Sequence, residues 1–286
     1  MVRTRGLLRW PKRRNRDDEE LAVARRAKHA RLEPSLLREH PGWTSPLDVR
    51  TRDDGLGPVV YALPPDAAAK FAVTETEAVS SHDYDPHALS IIDEYVDGVV
   101  LDCGAGYRRE YLDNVVNLEI VPYRSTDVVA VAEQIPLRDE SVDAVICSAV
   151  LEHVKRPWLA ATEIRRVLKP GGALYVAVPF LQPLHGYPDH FFNMTGPGVA
   201  SLFEGFEVEW HEVIDSLHPI WSLTWMLASW REALLGETRR AFEQMRVADL
   251  LGEAASYLDD PFVTELSREK RFELASGTAL LARKPR

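Results

Sequence analysis

One run constrains this chain more than any other: Val99-Val100-Leu101-Asp102-Cys103-Gly104-Ala105-Gly106. A short stretch of strand-forming residues ends in an acid and passes directly into Gly-x-Gly. Such a run reads as a buried parallel strand that delivers the chain to a tight turn at the carboxyl end of a sheet. Open α/β sheets bind their ligands at that end. Gly104 and Gly106 accept backbone angles that a residue with a Cβ resists, and they let the main chain approach a ligand closely. Asp102 puts a carboxylate beside that approach.

The run has several candidate owners. A dinucleotide-binding turn wants a third glycine three residues after the second. The sequence continues Tyr107-Arg108-Arg109-Glu110, so Arg109 stands where that glycine belongs. A carboxylate two residues before the first glycine suits a different ligand, one with a cationic amino-acid ammonium. Val115-Val116-Asn117-Leu118-Glu119-Ile120 reads as a second buried strand with an acid near its carboxyl end. The two oxygens of Glu119 match the two hydroxyls of a ribose, although an ordinary strand-end acid is the alternative. The short interval from Gly106 to Glu119 leaves room for about two helical turns.

Further motifs follow in order. Ile135-Pro136-Leu137-Arg138-Asp139-Glu140-Ser141-Val142-Asp143 leads into the apolar strand Ala144-Val145-Ile146-Cys147-Ser148. Leu151-Glu152-His153-Val154 opens a helix. Arg166-Val167-Leu168-Lys169-Pro170-Gly171-Gly172 closes one, with the Pro and Gly signals of a helix end. Ala173 to Phe180 reads as the next buried strand. This order resembles the class I S-adenosylmethionine-dependent methyltransferases, most closely the branch that includes small-molecule, lipid and sugar methyltransferases. The likeness spans roughly residues 98–215 and the segment near 277–284.

The resemblance implies an α/β, Rossmann-like methyltransferase fold. Its sheet has seven strands, mostly parallel, with helices on both faces and an antiparallel final hairpin. It also implies S-adenosylmethionine as cofactor. Asp102, Gly104 and Gly106 would line its methionine end and Glu119 would hold the ribose. Ala132 and Glu133 would flank the adenine, and Ser148 would lie near the sulfonium. Relatives often carry an acid just before the Ala132 position, where this chain has Val131. Adenine recognition here would therefore fall to backbone groups or to Glu133.

Composition narrows the surroundings. The chain has 286 residues, 45% of them hydrophobic, and a net charge of −10. That charge argues against broad nucleic-acid binding, which depends on phosphate neutralisation. No apolar run reaches transmembrane length. The N-terminus is too basic for a secretory signal. A cytoplasmic protein with reduced thiols at Cys103 and Cys147 is expected. Residues 1–65 read as an appendage outside the sheet: a basic tail (Arg3 to Arg16), a helix over 18–39, and an extended connection through Pro41, Pro46, Pro58, Pro64 and Pro65. Residues 66–286 read as the methyltransferase domain, with Tyr84 either reaching the pocket or anchoring the surface.

The acceptor end is less determined. Methyl transfer to a hydroxyl needs alignment, exclusion of water and removal of a proton. The segment Pro183-Leu184-His185-Gly186-Tyr187-Pro188-Asp189-His190-Phe191-Phe192 packs two histidines, a carboxylate and three aromatics after the fifth strand. Three readings stay open. His185 or His190 is a general base; His185, Asp189 and His190 hold a divalent metal; or the segment only shapes the fold. A sixth strand is expected near 206–214 and a last one at 278–283. Between them, residues 216–275 form a helical insertion carrying Trp221, Trp225 and Trp230. Trp221 and Trp225 share a helix face, which offers a substrate lid, a homodimer surface or plain packing. Together these features favour O-methylation of a small-molecule or glycan hydroxyl. A catalytically silent S-adenosylmethionine-binding protein and a nicotinamide-dependent oxidoreductase are the alternatives. Asp102→Ala or Glu119→Ala is expected to weaken cofactor binding with little loss of fold.

Overall fold

A computed structural model describes residues 17–36, 47–63, 66–71, 83–186 and 189–283. The basic tail and residues 37–46 lie outside them. The chain forms two compact units, Met1–Ala177 and Val178–Arg286.

The first unit is built on one sheet. Its elements run α1 (Asp18–Leu32), β1 (Asp48–Thr51), β2 (Pro58–Tyr61), α2 (Ala67–Phe71), α3 (Pro86–Glu94), β3 (Val100–Cys103), β4 (Val115–Glu119), β5 (Val128–Val129), β6 (Val142–Ser148), α4 (Pro157–Val167) and β7 (Leu168–Ala177). The sheet order is β1-β2-β5-β4-β3-β6-β7. Only the β1–β2 pair is antiparallel. Central β3 is buried along its whole length, as expected of a parallel strand covered on both faces. Helix α1 starts with a capping box between Asp17 and Glu20, which satisfies two otherwise orphaned backbone donors.

The Ile135–Leu137 segment is fixed to α4 through two side chains. Glu163 accepts from Ile135 N–H at 2.9 Å. Arg166 donates to the carbonyls of Leu137 at 2.7 Å and Ile135 at 2.8 Å. The Ile-Pro-Leu segment and the Arg-Val-Leu motif are therefore two sides of one junction.

The seven strands are not all the expected ones. Residues 48–61, read as part of an extended connection outside the sheet, form the β1–β2 hairpin, and β2 pairs with β5. Val59 and Val60 are fully buried, and that burial outweighs the proline-rich flanks. The turn closes through Arg52 N–H donating to Gly57 O at 3.0 Å. Residues 206–214 and 278–283, expected as strands, are not strands. Their alternation supplies a sided segment, but a strand also needs a partner ladder. Val208, Trp210 and Val213 stay exposed, and Leu280 and Leu281 are more than nine-tenths exposed. The antiparallel pair thus lies at the β1 edge, not in a final hairpin.

The second unit is helical: α5 (Gly196–Leu202), α6 (Pro219–Ala233), α7 (Gly236–Gln244), α8 (Pro261–Thr264) and α9 (Arg268–Glu273). Trp230 stacks on Phe242 at 6.4 Å and donates its indole N–H to Phe262 O at 2.7 Å. Ser229 bonds Glu273 and Lys270, which clamps α6 to α9. Among the described residues no helix is long and apolar enough to cross a membrane.

Candidate cofactor site

The carboxyl ends of β3, β4, β5 and β6 converge on a cluster of acids. Because these strands are parallel, the residues that end them share one rim of the sheet. Asp102 sits in β3, one residue before the strand ends, and is fully buried. Gly104 follows with φ 80° and Gly106 with φ 60°, a region that L side chains rarely enter. A Cβ on Gly104 would also lie 2.4 Å from Val150 Cγ2. Both backbone angle and packing therefore require glycine there.

Glu119 closes the turn from the neighbouring strand. Its Oε2 accepts from Gly106 N–H at 2.7 Å and its Oε1 from Ile120 N–H at 2.7 Å. Burial pushes its pKa up, against the pull of these backbone donors, and the Asp102 charge adds to the rise. Each oxygen keeps acceptor capacity beyond the bond it makes. Asp102, Gly104, Gly106 and Glu119 are thus gathered at one turn.

Ala132 and Glu133 are buried just beyond β5. Glu133 Oε1 has no hydrogen-bond partner among the described residues. Burial raises the Glu133 pKa, and the nearby Arg156 charge opposes the rise. Ile120 and Leu63 pack on buried Phe71 and Val131, an apolar surface next to these two positions in sequence. Ser148 ends β6 and pairs with Ala177 of β7. Ala149, the next residue, adopts φ 55°, which is costly without glycine. Its N–H donates to Ala177 O at 2.8 Å, which holds the bend.

Two features of this rim were only partly legible. The first is Arg108. Its Nε donates to Asp102 Oδ2 at 2.8 Å and its Nη2 to Asp102 Oδ1 at 3.2 Å. Tyr84 donates its hydroxyl to Asp102 Oδ2 at 2.7 Å, and the Arg108 guanidinium lies over the Tyr84 ring at 4.1 Å. Of the two roles the sequence left open for Tyr84, its bond to Asp102 places it at the rim. Arg108 is buried and was passed over in favour of its neighbour Arg109, which is exposed. The second is Glu152, fully buried at the turn after β6. Neither of its oxygens has a hydrogen-bond partner among the described residues. Burial pushes its pKa up to about 8.

His185 and His190 belong to the second unit. Their rings lie 4.3 Å apart and His185 is 5.1 Å from Trp225. His185 Nδ1 is 2.8 Å from Pro183 O. A carbonyl only accepts, so Nδ1 carries the proton and Nε2 carries the lone pair. His190 is bonded differently. Its Nδ1 accepts from His185 N–H at 3.2 Å and its Nε2 donates to Phe192 O at 3.2 Å. The Pro183 carbonyl thus sets the His185 tautomer, and His190 is held by His185 N–H and Phe192 O.

Part of the chain is similar to known methyltransferases. A sequence model of the methyltransferase domain matches residues 99–176. An uncharacterized methyltransferase of Mycobacterium bovis is 46% identical over 54 residues, 18% of this chain and 21% of that protein. One of Mycobacteroides abscessus is 38% identical over 74 residues, 24% of this chain and 29% of that protein. The chain therefore spans well under a third of the length of these relatives. Among solved structures, a SAM-dependent methyltransferase from Thermotoga maritima, titled a possible histamine N-methyltransferase, has 27% identity. Its TM-score is 0.25, and the match covers 31% of this chain and 49% of that one. The matched segment holds β3, β4, β5, β6, α4 and nearly all of β7, with every strand-end acid of the rim. Residues 99–176 are similar in sequence to the methyltransferase domain.

Proposed function

We propose that this protein is an S-adenosylmethionine-dependent methyltransferase that acts in the cytoplasm on a hydroxyl of a small molecule or glycan. The observation that carries the cofactor is the pairing of strand-end acids, Asp102 and Glu119, around the Gly104–Gly106 turn. The residues fit the group. The rim offers buried acceptor oxygens, three of them on Glu133 and Glu152 without hydrogen-bond partners among the described residues. The cofactor brings donors: an ammonium, ribose hydroxyls and an adenine amino group. When bound, it supplies a methyl group already activated by the sulfonium.

The chain's own residues then have distinct tasks. Asp102 takes the ammonium and Glu119 the ribose hydroxyls. Ala132, Glu133 and the apolar side chains beside them take the adenine. Ser148 lines the sulfonium end. His185 removes the acceptor's proton through Nε2, in the tautomer that Pro183 sets. His190 holds the loop. The oxygen and glycan preferences rest on this histidine and on the tryptophan face of α6.

Calorimetric titration with S-adenosylhomocysteine, with NAD as control, tests the cofactor. Binding of the former alone is expected. NAD binding would turn the reading to an oxidoreductase. Tight S-adenosylhomocysteine binding without turnover on any hydroxyl acceptor would leave a silent cofactor-binding protein. With an acceptor in hand, His185→Ala should lower turnover by about 100-fold or more, the scale of a lost general base, with cofactor affinity unchanged. Unaltered turnover removes His185 from the chemistry.

A further inference from the structure

Helix α6 hides the wrong side for a helix in water. It runs fifteen residues, and from Pro219 to Trp230 it carries no charged side chain. The one residue it buries is Ser229, held by Lys270 and Glu273 of α9. Ile220, Trp221 and Leu223 are more than half exposed, and Trp225 more than a third. A helix apolar on most of its surface normally lies inside a core or in lipid. Leaving four large apolar side chains in water forgoes the burial each could bring. At fifteen residues α6 is too short to span a bilayer, so a lipid contact would run along a surface.

The polar groups on the exposed side are already paired within the unit. The Thr224 hydroxyl donates to Ile220 O at 2.8 Å, and the Trp221 indole N–H donates to Asp215 O at 2.7 Å. Unpaired donors are expensive in hydrocarbon, and neither group would arrive there unpaired. Tryptophan is also the side chain that settles at the boundary between headgroups and acyl chains. The sequence supplies a second attachment. Seven basic residues fall between Arg3 and Arg16, with no acid before Asp17. In a chain of net charge −10 this run concentrates positive charge. Anionic lipid attracts such a run, each basic residue adding to the pull. One weak attachment binds reversibly, whereas two together hold. Anionic headgroups laid over hydrocarbon take both features at once.

We propose that α6 is a membrane-contact helix, which lays Ile220, Trp221, Leu223 and Trp225 into an anionic lipid surface while the basic run engages the headgroups. The protein thereby works at the cytoplasmic leaflet, the anionic one. Membrane contact is independent of the methyl-transfer reading. It does compete with the glycan preference, which leans on the same tryptophans, and it leaves the hydroxyl preference to His185.

Flotation of the full chain with vesicles tests this without any activity assay. One set is phosphatidylcholine alone; the other is a mixture of phosphatidylcholine and anionic phosphatidylglycerol. The wild type should float with the anionic vesicles, less with the neutral ones, and lose part of its binding as salt rises. Trp221→Ser combined with Trp225→Ser should weaken anionic-vesicle binding by about tenfold or more, the scale of returning apolar side chains to water. Leu223→Glu changes an exposed position, where folding tolerates substitution, and should weaken binding as much. It stands in if the double variant fails to fold. A wild type that stays off anionic vesicles overturns the proposal. Equal flotation with neutral and anionic vesicles strikes out the basic run, and with it the anionic surface. Binding that salt abolishes and both α6 variants leave unchanged also overturns it, since the basic run would then act alone. A wild-type dimer that Leu223→Glu splits, with no flotation, would give the face to a second copy instead.

Discussion

The sheet of the first unit carries a buried polar cluster at each end, and the two are built to opposite ends. At the amino-terminal end, before β5, Asp127 is ringed by donors. Lys28 Nζ lies 3.0 Å from Oδ2, Asn117 N–H donates to Oδ2 at 3.0 Å, Tyr111 donates its hydroxyl to Oδ1, and Arg25 Nη1 stands 3.5 Å away. Arg25 also bonds the carbonyls of Thr126 and Arg124, and Lys28 that of Val115 at 2.6 Å. Two cations share one carboxylate, and among the described residues this cluster leaves one donor, Arg25 Nε, and one acceptor, Asn117 Oδ1, without a hydrogen-bond partner. At the carboxyl end, Arg108 pairs with Asp102, and three oxygens on Glu133 and Glu152 are left without a hydrogen-bond partner among the described residues. The first cluster surrounds its one carboxylate with donors and, through Arg25 and Lys28, anchors α1 to the sheet. The second holds acceptor capacity in reserve, which is what a donor-rich nucleoside ligand needs. The difference separates a polar cluster that builds the fold from one that waits for a ligand.

Breaking the first cluster should have the largest effect. Asp127→Ala leaves Arg25 and Lys28 buried without their shared anion, a loss of about 3–5 kcal/mol by analogy with other broken buried pairs. For a unit of this size that lowers the thermal midpoint by roughly 10 °C. A thermal scan that moves by only a degree or two would mean that the cluster is not the anchor of α1.

The second cluster should behave differently, and Glu152 gives the clearest contrast. Its carboxyl is held up at about 8 against an ordinary 4.5. The folded state prefers the protonated form, so this group's contribution to stability is intact below about pH 4.5 and is lost as pH rises through about 8. Glu152→Gln removes that dependence. The variant should match the wild type near pH 4.5 and exceed it near pH 8 by an amount on the order of 1–3 kcal/mol, allowing for relaxation around the charge. Chemical denaturation across that range decides it, and a constant difference at all pH values would show that Glu152 does not titrate there.

Glu119→Ala should cost less stability and more binding. Its oxygens accept from Gly106 and Ile120 N–H groups at the half-buried edge of the turn, where water can replace them. S-adenosylhomocysteine affinity should fall by about tenfold, near the value of one or two charged hydrogen bonds. Unchanged calorimetric affinity would remove Glu119 from the ribose site. Asp102→Ala does not share this profile. The sequence led us to expect little loss of fold there, but Asp102 is the partner of buried Arg108, so removing it leaves an uncompensated cation and stability falls along with binding.

Those contrasts mark what was readable in the chain. The β3 run and its glycines, the Glu119 strand and the neighbouring cysteine strands β3 and β6 follow from apolar runs and local turn chemistry, which are short-range signals. The β1–β2 hairpin did not, because its prolines suggest an extended connection while its burial depends on β5, more than sixty residues away. Segments 206–214 and 278–283 failed in the other direction: their alternation is strand-like, yet no ladder receives them. Arg108 was missed because a basic residue after a glycine turn looks solvated until the strand-end acid six residues earlier is seen to face it. Choosing between His185 and His190 needed the tautomers, which only the carbonyls of Pro183 and Phe192 set.

The smallest expected effect sharpens the comparison further. Glu133 is buried with Oε1 unpartnered and a pKa pushed up by burial. If its task is to accept a hydrogen bond, the charge is dispensable and the oxygen is not. Glu133→Gln keeps one carbonyl oxygen and removes a charge that the site desolvates, so S-adenosylhomocysteine affinity should change by no more than about threefold, the range of a neutral hydrogen-bond exchange. Glu133→Leu has no acceptor and should lose roughly tenfold. The same neutral exchange at the amino-terminal end, Asp127→Asn, should destabilise clearly, because there the charge itself offsets two buried cations. Equal losses for Glu133→Gln and Glu133→Leu would mean that charge matters at both ends, and the distinction between an anchoring and a waiting cluster would not survive at Glu133.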